Sequence, residues 1–358
     1  MNPSPRELTP GRNGASATLR EVARLAGVHV STASRALDPS RSSVVSPDTL
    51  DRVQRAAADL GYRRHLIASN LRRGRTGTVG VMVPDLTNPY YAPVIRGVAD
   101  GLEANELVGV VTETRDDPAR AMRLLEHLAE RRVDGLITLA ARDGDALRLE
   151  EFSERVAPVV LGVRSLTVCR LPAVHTDERR GGALAARHLV ALGHRRLGQL
   201  RGPPETNAFP SRAIGFAEEA RALECEVLEP ATPGKAPTYD EGLRLTRELL
   251  QNTNPVPTAL FAGNDLMAVG AIDAVRDAGL RCPEDISVIG YNDSPFVDHL
   301  SPPLSTIRVA SYEIGYRAAA VLLALLRGEV VPRSSIFEPL LVERGSTQRH
   351  DGLGSTTG

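Results

Sequence analysis

Ser31, Thr32, Ser34 and Arg35 fall within five consecutive positions of one short helical pattern. Hydroxyls so placed hydrogen-bond phosphate oxygens, and an arginine fork can pair with the O6 and N7 edge of guanine in a major groove. That chemistry is recognition of a polyanion, not a covalent step. Farther along, Asn264-Asp265 and Asn292-Asp293 each close an apolar run expected to be a strand. Short amides and carboxylates there can hydrogen-bond a polyol, although turn formation alone also favours Asn and Asp. Signals for catalysis are weak, with no Gly-x-x-x-x-Gly-Lys phosphate loop, Gly-x-Ser-x-Gly elbow or His-Glu-x-x-His pair. His188 and His194, six apart, do not share a helical face and read as surface or helix-end residues. Lys235 is the one lysine against 42 arginines, in a loop rich in Pro and Gly. Cys169, Cys225 and Cys282 are odd in number and far apart, so neither a disulfide framework nor a paired metal site is expected, and a reducing cytoplasm is the default.

The elements that must position these residues divide the chain by charge. Residues 1–76 carry 13 arginines and 6 acids, a net of +7, while residues 77–358 carry 30 basic and 38 acidic side chains, a net of -8. A polyanion partner suits the first part only. Residues 1–17 lack an apolar period and are expected to be a disordered arm. Thr18 and Glu21 then have capping-box spacing, and a helix is expected over 19–26, stopped by Gly27. A second helix over 30–37 presents Ser31, Thr32, Ser34 and Arg35 and turns Ala33, Ala36 and Leu37 inward. Two helices so closely joined must cross sharply, the outline of a helix-turn-helix. A third helix opens at Ser46-Pro47 and runs to Gly61, and an apolar-basic stretch over 66–73 precedes a linker.

The remaining chain alternates apolar runs with helical patterns, the signature of parallel sheets covered by helices. Strands are expected over 79–83, 108–113, 135–139, 159–163, 197–200, 259–262, 286–290 and 305–309, with a late one over 336–342. A length of 358 residues with 42% apolar content allows more than one domain, and a division near 174–177 leaves two subdomains of plausible size. Ligands of such folds bind at the carboxyl ends of the strands. The longest apolar run, over 318–326, is too short to span a bilayer, and the amino terminus lacks the pattern of a signal peptide.

Taken together, Thr18-Leu19-Arg20-Glu21-Val22-Ala23, Ala26-Gly27-Val28, Ser31-Thr32-Ala33-Ser34-Arg35-Ala36-Leu37, Val45-Ser46-Pro47 and Leu60-Gly61-Tyr62 resemble the headpiece of LacI/GalR-family transcriptional regulators. The resemblance continues through Asn88-Pro89-Tyr90-Tyr91, Val133-Asp134-Gly135, Leu192-Gly193-His194, Ser211-Arg212, Asn264-Asp265, Ile289-Gly290-Tyr291-Asn292-Asp293 and Arg344-Gly345-Ser346-Thr347. It implies an α/β protein: a three-helix helix-turn-helix headpiece over 18–64, a hinge helix and linker over 65–76, and a periplasmic-binding-protein-like core of two parallel-sheet subdomains over 77–347. Subdomain one would take 77–174 with 310–335, subdomain two 175–309 with 336–347, leaving a tail over 348–358. The tail has no leucine heptad for a coiled coil.

By the same resemblance Val30, Ser31 and Arg35 read base edges, Thr32 and Ser34 contact the backbone, and Leu71 of the hinge wedges into the minor groove. Thr18 and His65 complete the DNA-facing set. Arg64-His65 stands where the family commonly carries Pro-Asn, and His29 where it usually has serine. Asp85, Tyr90, Tyr91, Arg212, Asn264 and Asn292 are the implied effector-binding residues, Asn292 standing where the family usually has Asp. The implied partners are a palindromic double-stranded DNA operator, a small sugar-like effector and a second copy of the chain, with no membrane, metal or cofactor. Two rival classes are a solute-binding protein that does not touch DNA and an enzyme fused to a DNA-binding head. The capped helix-turn-helix argues against the first, and an α/β core by itself is no evidence for the second.

Overall fold

The computed structural model describes residues 17–37, 44–62 and 75–350, in two compact units divided after Gly74. The hinge expected over 66–73, with His65 and Leu71, lies outside the described residues, as do nearly all of the arm and the last eight residues of the tail.

In the first unit α1 (Leu19–Leu25) opens on a complete capping box: Thr18 Oγ1 accepts from the Glu21 N–H, and the Glu21 carboxylate accepts from the Thr18 N–H at 2.8 Å. Gly27, at φ +65°, ends the helix in a left-handed turn that a side chain would strain. Helices α2 (Val30–Ala36) and α3 (Pro47–Asp59) follow, the latter with proline at a position whose N–H would have no helical partner. Val22, Ala23, Ala33, Ala36, Val53 and Ala56 bury a core of small side chains, which lets three short helices approach closely.

The second unit runs β1 (Thr78–Val83), α4 (Tyr91–Glu103), β2 (Val108–Glu113), α5 (Pro118–Glu130), β3 (Gly135–Thr138), α6 (Ala146–Arg155), β4 (Val159–Val163) and β5 (Ala173–Thr176). It continues with α7 (Glu178–Ala191), β6 (Arg196–Leu200), α8 (Ala208–Ala222), β7 (Glu226–Leu228), α9 (Tyr239–Asn252), β8 (Ala259–Ala262) and α10 (Asp265–Asp277). The last elements are β9 (Ser287–Asn292), β10 (Ser305–Arg308), α11 (Ser311–Leu326), β11 (Ser334–Phe337) and β12 (Leu340–Val342). Two six-stranded sheets result, in the orders β11-β5-β4-β3-β1-β2 and β12-β10-β9-β8-β6-β7. Every pairing is parallel except β10 with β12. Their inner strands are buried apolar runs such as Val79, Val81 and Val83 or Ala259, Leu260 and Phe261, as strands covered on both faces must be.

Three differences from the sequence reading have local causes. The single strand expected over 336–342 is two strands in different sheets, because Glu338-Pro339 interrupts it and proline cannot donate to a ladder. Strands β5 and β7 went unread, being four and three residues long. Because β5 and β11 both belong to the first sheet, that sheet reaches Thr176 and Phe337, slightly past the boundaries at 174 and 335. The chain thus passes between the sheets three times, after β5, after β10 and between β11 and β12.

Helices α7 and α8 cross with almost no space between them. A Cβ on Gly182 would lie 2.0 Å from the Arg212 carbonyl oxygen, and one on Gly215 would lie 1.9 Å from that of Arg179. Only glycine permits that approach, which sets Glu178 of α7 against Arg212 of α8.

Candidate nucleic-acid interface and candidate ligand cleft

On α2, Ser31 and Arg35 are exposed, whereas Val30, Thr32 and Ser34 are half-buried, Val30 packing against the headpiece core. The sequence reading had all four polar side chains fully presented; a seven-residue helix on an alanine core leaves less of its circumference free. His29 takes over the cap: its Nδ1 accepts from the Ser31 N–H at 3.3 Å and lies 2.8 Å from the Ser31 hydroxyl. Arg35 Nε donates to the Ser31 carbonyl at 3.2 Å, which orients the guanidinium along the helix. The exposed Thr18 hydroxyl is engaged with Glu21 at 2.9 Å.

In the second unit Tyr90, Tyr91, Arg212, Asn264 and Asn292 converge on one cavity of about 20 Å³, room for a single water. They arrive from both halves at the carboxyl ends of strands: Tyr90 and Tyr91 after β1, Asn264 after β8, Asn292 at the end of β9. Asp85 is not among them; its carboxylate accepts from the Thr87 N–H and hydroxyl in a local turn. Asp265 and Asp293 are also committed elsewhere. Asp265 accepts from the Ser294 N–H at 2.7 Å and the Thr306 hydroxyl at 2.6 Å, and burial pushes its carboxyl up to about 6. Asp293 pairs with Arg308 and Arg344.

Arg212 is 4% exposed. Its Nε and Nη2 donate to the two Glu178 oxygens at 2.6 and 3.2 Å, and Nη1 donates to the Gly263 carbonyl at 2.7 Å. The guanidinium lies 3.8 Å from the Tyr291 ring centroid. Three of five N–H groups are spent, and two remain for a ligand. Across the cleft Arg164, 3% exposed, donates bidentately to Asp116 at 2.6 and 3.0 Å. Each buried guanidinium therefore already has its counter-ion, so the cleft offers directed donors with little net charge. Asn264 is fixed by capping α10 through the Met267 N–H and donating to the Pro237 carbonyl at 2.9 Å. Asn292, at φ +115°, lines the cleft and holds a buried Oδ1 with no hydrogen-bond partner. Burial pushes the Tyr90 and Tyr91 phenols up, which keeps both as hydrogen-bonding OH groups.

Arg164, Asn88, Thr206 and Phe209 also line the cleft and escaped the sequence reading, as did the acids Asp116 and Glu178 that fix its arginines. Phe209 lies one helical turn before Arg212 and had a readable signal; the ion pairs join residues 34 and 48 apart and had none. His188, in the last turn of α7, and His194, in the turn that follows it, are both buried, not on the surface. His194 meets the hydroxyls of Thr258 and Ser287 and the Gln348 carbonyl at 2.9, 3.1 and 3.2 Å, which fastens the carboxyl-terminal segment to the second sheet.

Comparison with known proteins agrees with both units. Residues 18–65 match the model of bacterial regulatory proteins, lacI family, and residues 186–347 match a periplasmic binding protein-like domain. The transcriptional repressor CytR of Escherichia coli K12 is 30% identical over 93% of this chain and 97% of its own length. The transcriptional regulator CelR of Thermobifida fusca is 34% identical over 92% and 98%. Among solved structures, the lac repressor dimer bound to operator and the anti-inducer ONPF superposes with a TM-score of 0.81 at 27% identity, covering 93% of this chain and all of that one.

Proposed function

Since the chain belongs to the lacI family of bacterial regulatory proteins, we propose that it is a cytoplasmic transcriptional repressor that binds a palindromic operator as a dimer and is controlled by a small sugar-like effector. One observation carries the reading: the same chain pairs an exposed arginine on a capped recognition helix with a polar cleft that holds an unpartnered buried acceptor. Arg35 and Ser31 read base edges with Val30, Thr32 and Ser34 contact the backbone, and Thr18, His65 and Leu71 complete the DNA-facing set. Tyr90, Tyr91, Arg212, Asn264 and Asn292 hold the effector, whose hydroxyls take the two spare N–H groups of Arg212 and donate to Asn292. A cleft with room for one water must open to admit it. An effector that favours one arrangement of the halves, and DNA that requires the other, oppose each other by one coupling factor. The protein performs no chemistry on the effector.

Selection of binding sites from random duplex DNA at two salt concentrations tests this. A palindromic enriched site is expected, with binding that weakens steeply as salt rises. Salt-sensitive binding without enrichment would contradict the reading.

A further inference from the structure

Glu178 borders a second cavity, of about 240 Å³, that Arg212 does not reach; Val163 and Ala208 line both this cavity and the cleft. We propose that it is a second ligand site, for a small hydroxyl-bearing amine, coupled to the cleft through the Glu178–Arg212 pair.

The cavity holds about eight waters at liquid density, enough for a monosaccharide-sized molecule. It is built where the chain passes between the sheets: from Val163 and Ser165 after β4, from the β5-to-α7 junction, and from the start of α8. Parallel register sets Val163 beside His175. Thr176 is 1% exposed, and its hydroxyl finds no hydrogen-bond partner. A buried hydroxyl left so is costly, and a ligand group would relieve it.

The charges that line the cavity leave one sign uncompensated. Glu178 is neutralised by Arg212, and Arg179 by Glu218. His175 donates from Nδ1 to the Thr176 carbonyl at 2.9 Å, and its Nε2 lies 2.9 Å from the Ser334 hydroxyl. Asp177 uses one oxygen to cap α7, accepting from the Arg180 N–H, and has no ion-pair partner among the described residues. A cationic amine suits it. On the opposite wall Asn207 donates to the Ser165 Oγ at 3.3 Å, which leaves the Ser165 hydroxyl proton for a ligand oxygen. Ser211 donates to Asn207 and holds that amide in place.

Occupancy here is felt in the cleft by two routes. A ligand amine near Asp177 and Glu178 competes for the carboxylate that holds Arg212, and Val163, a β-branched residue at φ +66°, belongs to the shared wall. Whatever factor this ligand applies to effector affinity, the effector returns.

The test uses the full-length protein and D-glucosamine at neutral pH, with glucose as its uncharged match, by titration calorimetry. Saturable glucosamine binding is expected, with glucose weaker by about tenfold for want of one charge-assisted hydrogen bond. Thr176→Val, which keeps shape, and Asp177→Asn, which keeps the cap, should each weaken glucosamine by about fivefold, while Asn292→Gly in the cleft leaves it unchanged. If Thr176→Val does not fold, Asp177→Asn decides alone. Absence of saturable binding, equal binding of glucose, or dependence on Asn292 instead of Asp177 would overturn the proposal. None of these outcomes bears on operator recognition, so this site and the regulator reading fail separately.

Discussion

In the helical unit Arg35 stands exposed on α2 with no carboxylate in ion-pair reach among the described residues, whereas in the core Arg212 is buried against Glu178 and stacked on Tyr291. Water solvates the first while it waits for a polyanion, so its charge remains available. The second is shielded from bulk water by burial and needs a counter-ion in advance, so what it offers a ligand is the direction of two N–H groups. On the proposed reading, the same side chain would serve affinity for DNA in one unit and geometric selection in the other.

The contrast breaks most visibly at the counter-ion. Glu178→Ala, which strands a buried guanidinium, should cost about 3–5 kcal/mol of core stability in denaturant unfolding, whereas Arg35→Ala should change stability by less than about 0.5 kcal/mol. Similar small losses from both would show that the core pair is not held as described.

Acid sharpens it next. Burial pushes His194 down to about 4, so the unfolded chain takes up a proton below about 6.5 that the folded chain refuses. The stability this residue contributes is present above that pH and is lost progressively as pH falls toward 4, by about 3 kcal/mol at most. Asp265, raised to about 6, acts with the opposite sign: its folded carboxyl retains a proton that the unfolded one releases, so its contribution fades as pH rises through 4 to 6. Asp265→Asn should therefore steepen the acid loss of the core. An unchanged slope in pH-dependent melting would contradict the burial of one group or the other.

Smaller effects belong to the helical unit. Arg35→Ala should relax preference at one base pair per half-site by about 1–3 kcal/mol; a uniform loss on all DNA would make it a phosphate contact. His29→Ala should lower the headpiece melting stability by about 1 kcal/mol through the lost α2 cap, and no change would mean that water replaces the imidazole.

The same contrast explains what could be read without coordinates. Local signals were legible: the Thr18-Glu21 cap, the glycine stop at Gly27, the Pro47 start and the apolar runs of β2, β4 and β8 all follow from neighbours in sequence. Tyr90, Tyr91, Arg212, Asn264 and Asn292 share one cavity; the first three are legible only through a family resemblance, whereas Asn264 and Asn292 also stand at the ends of apolar runs. Asp85 was named with them and does not reach it, since Thr87 two residues on captures its carboxylate. Glu178 and Asp116 were missed because a buried ion pair between distant segments leaves no spacing to read. The split at Glu338-Pro339 was missed because two short strands of different sheets look like one when their apolar residues run on.

If the cleft senses the molecule that governs DNA binding, Asn292 tests it with least disturbance. Its Oδ1 has no hydrogen-bond partner, and glycine tolerates the φ of +115°, so Asn292→Gly should fold and bind operator as the unsubstituted protein does. The measurement is operator affinity by fluorescence anisotropy across a panel of uncharged sugars, for both proteins. A sugar that shifts the unsubstituted protein's affinity should do so about tenfold less effectively in Asn292→Gly, the loss of one buried hydrogen bond. An undiminished response in the variant would place effector sensing elsewhere in the molecule.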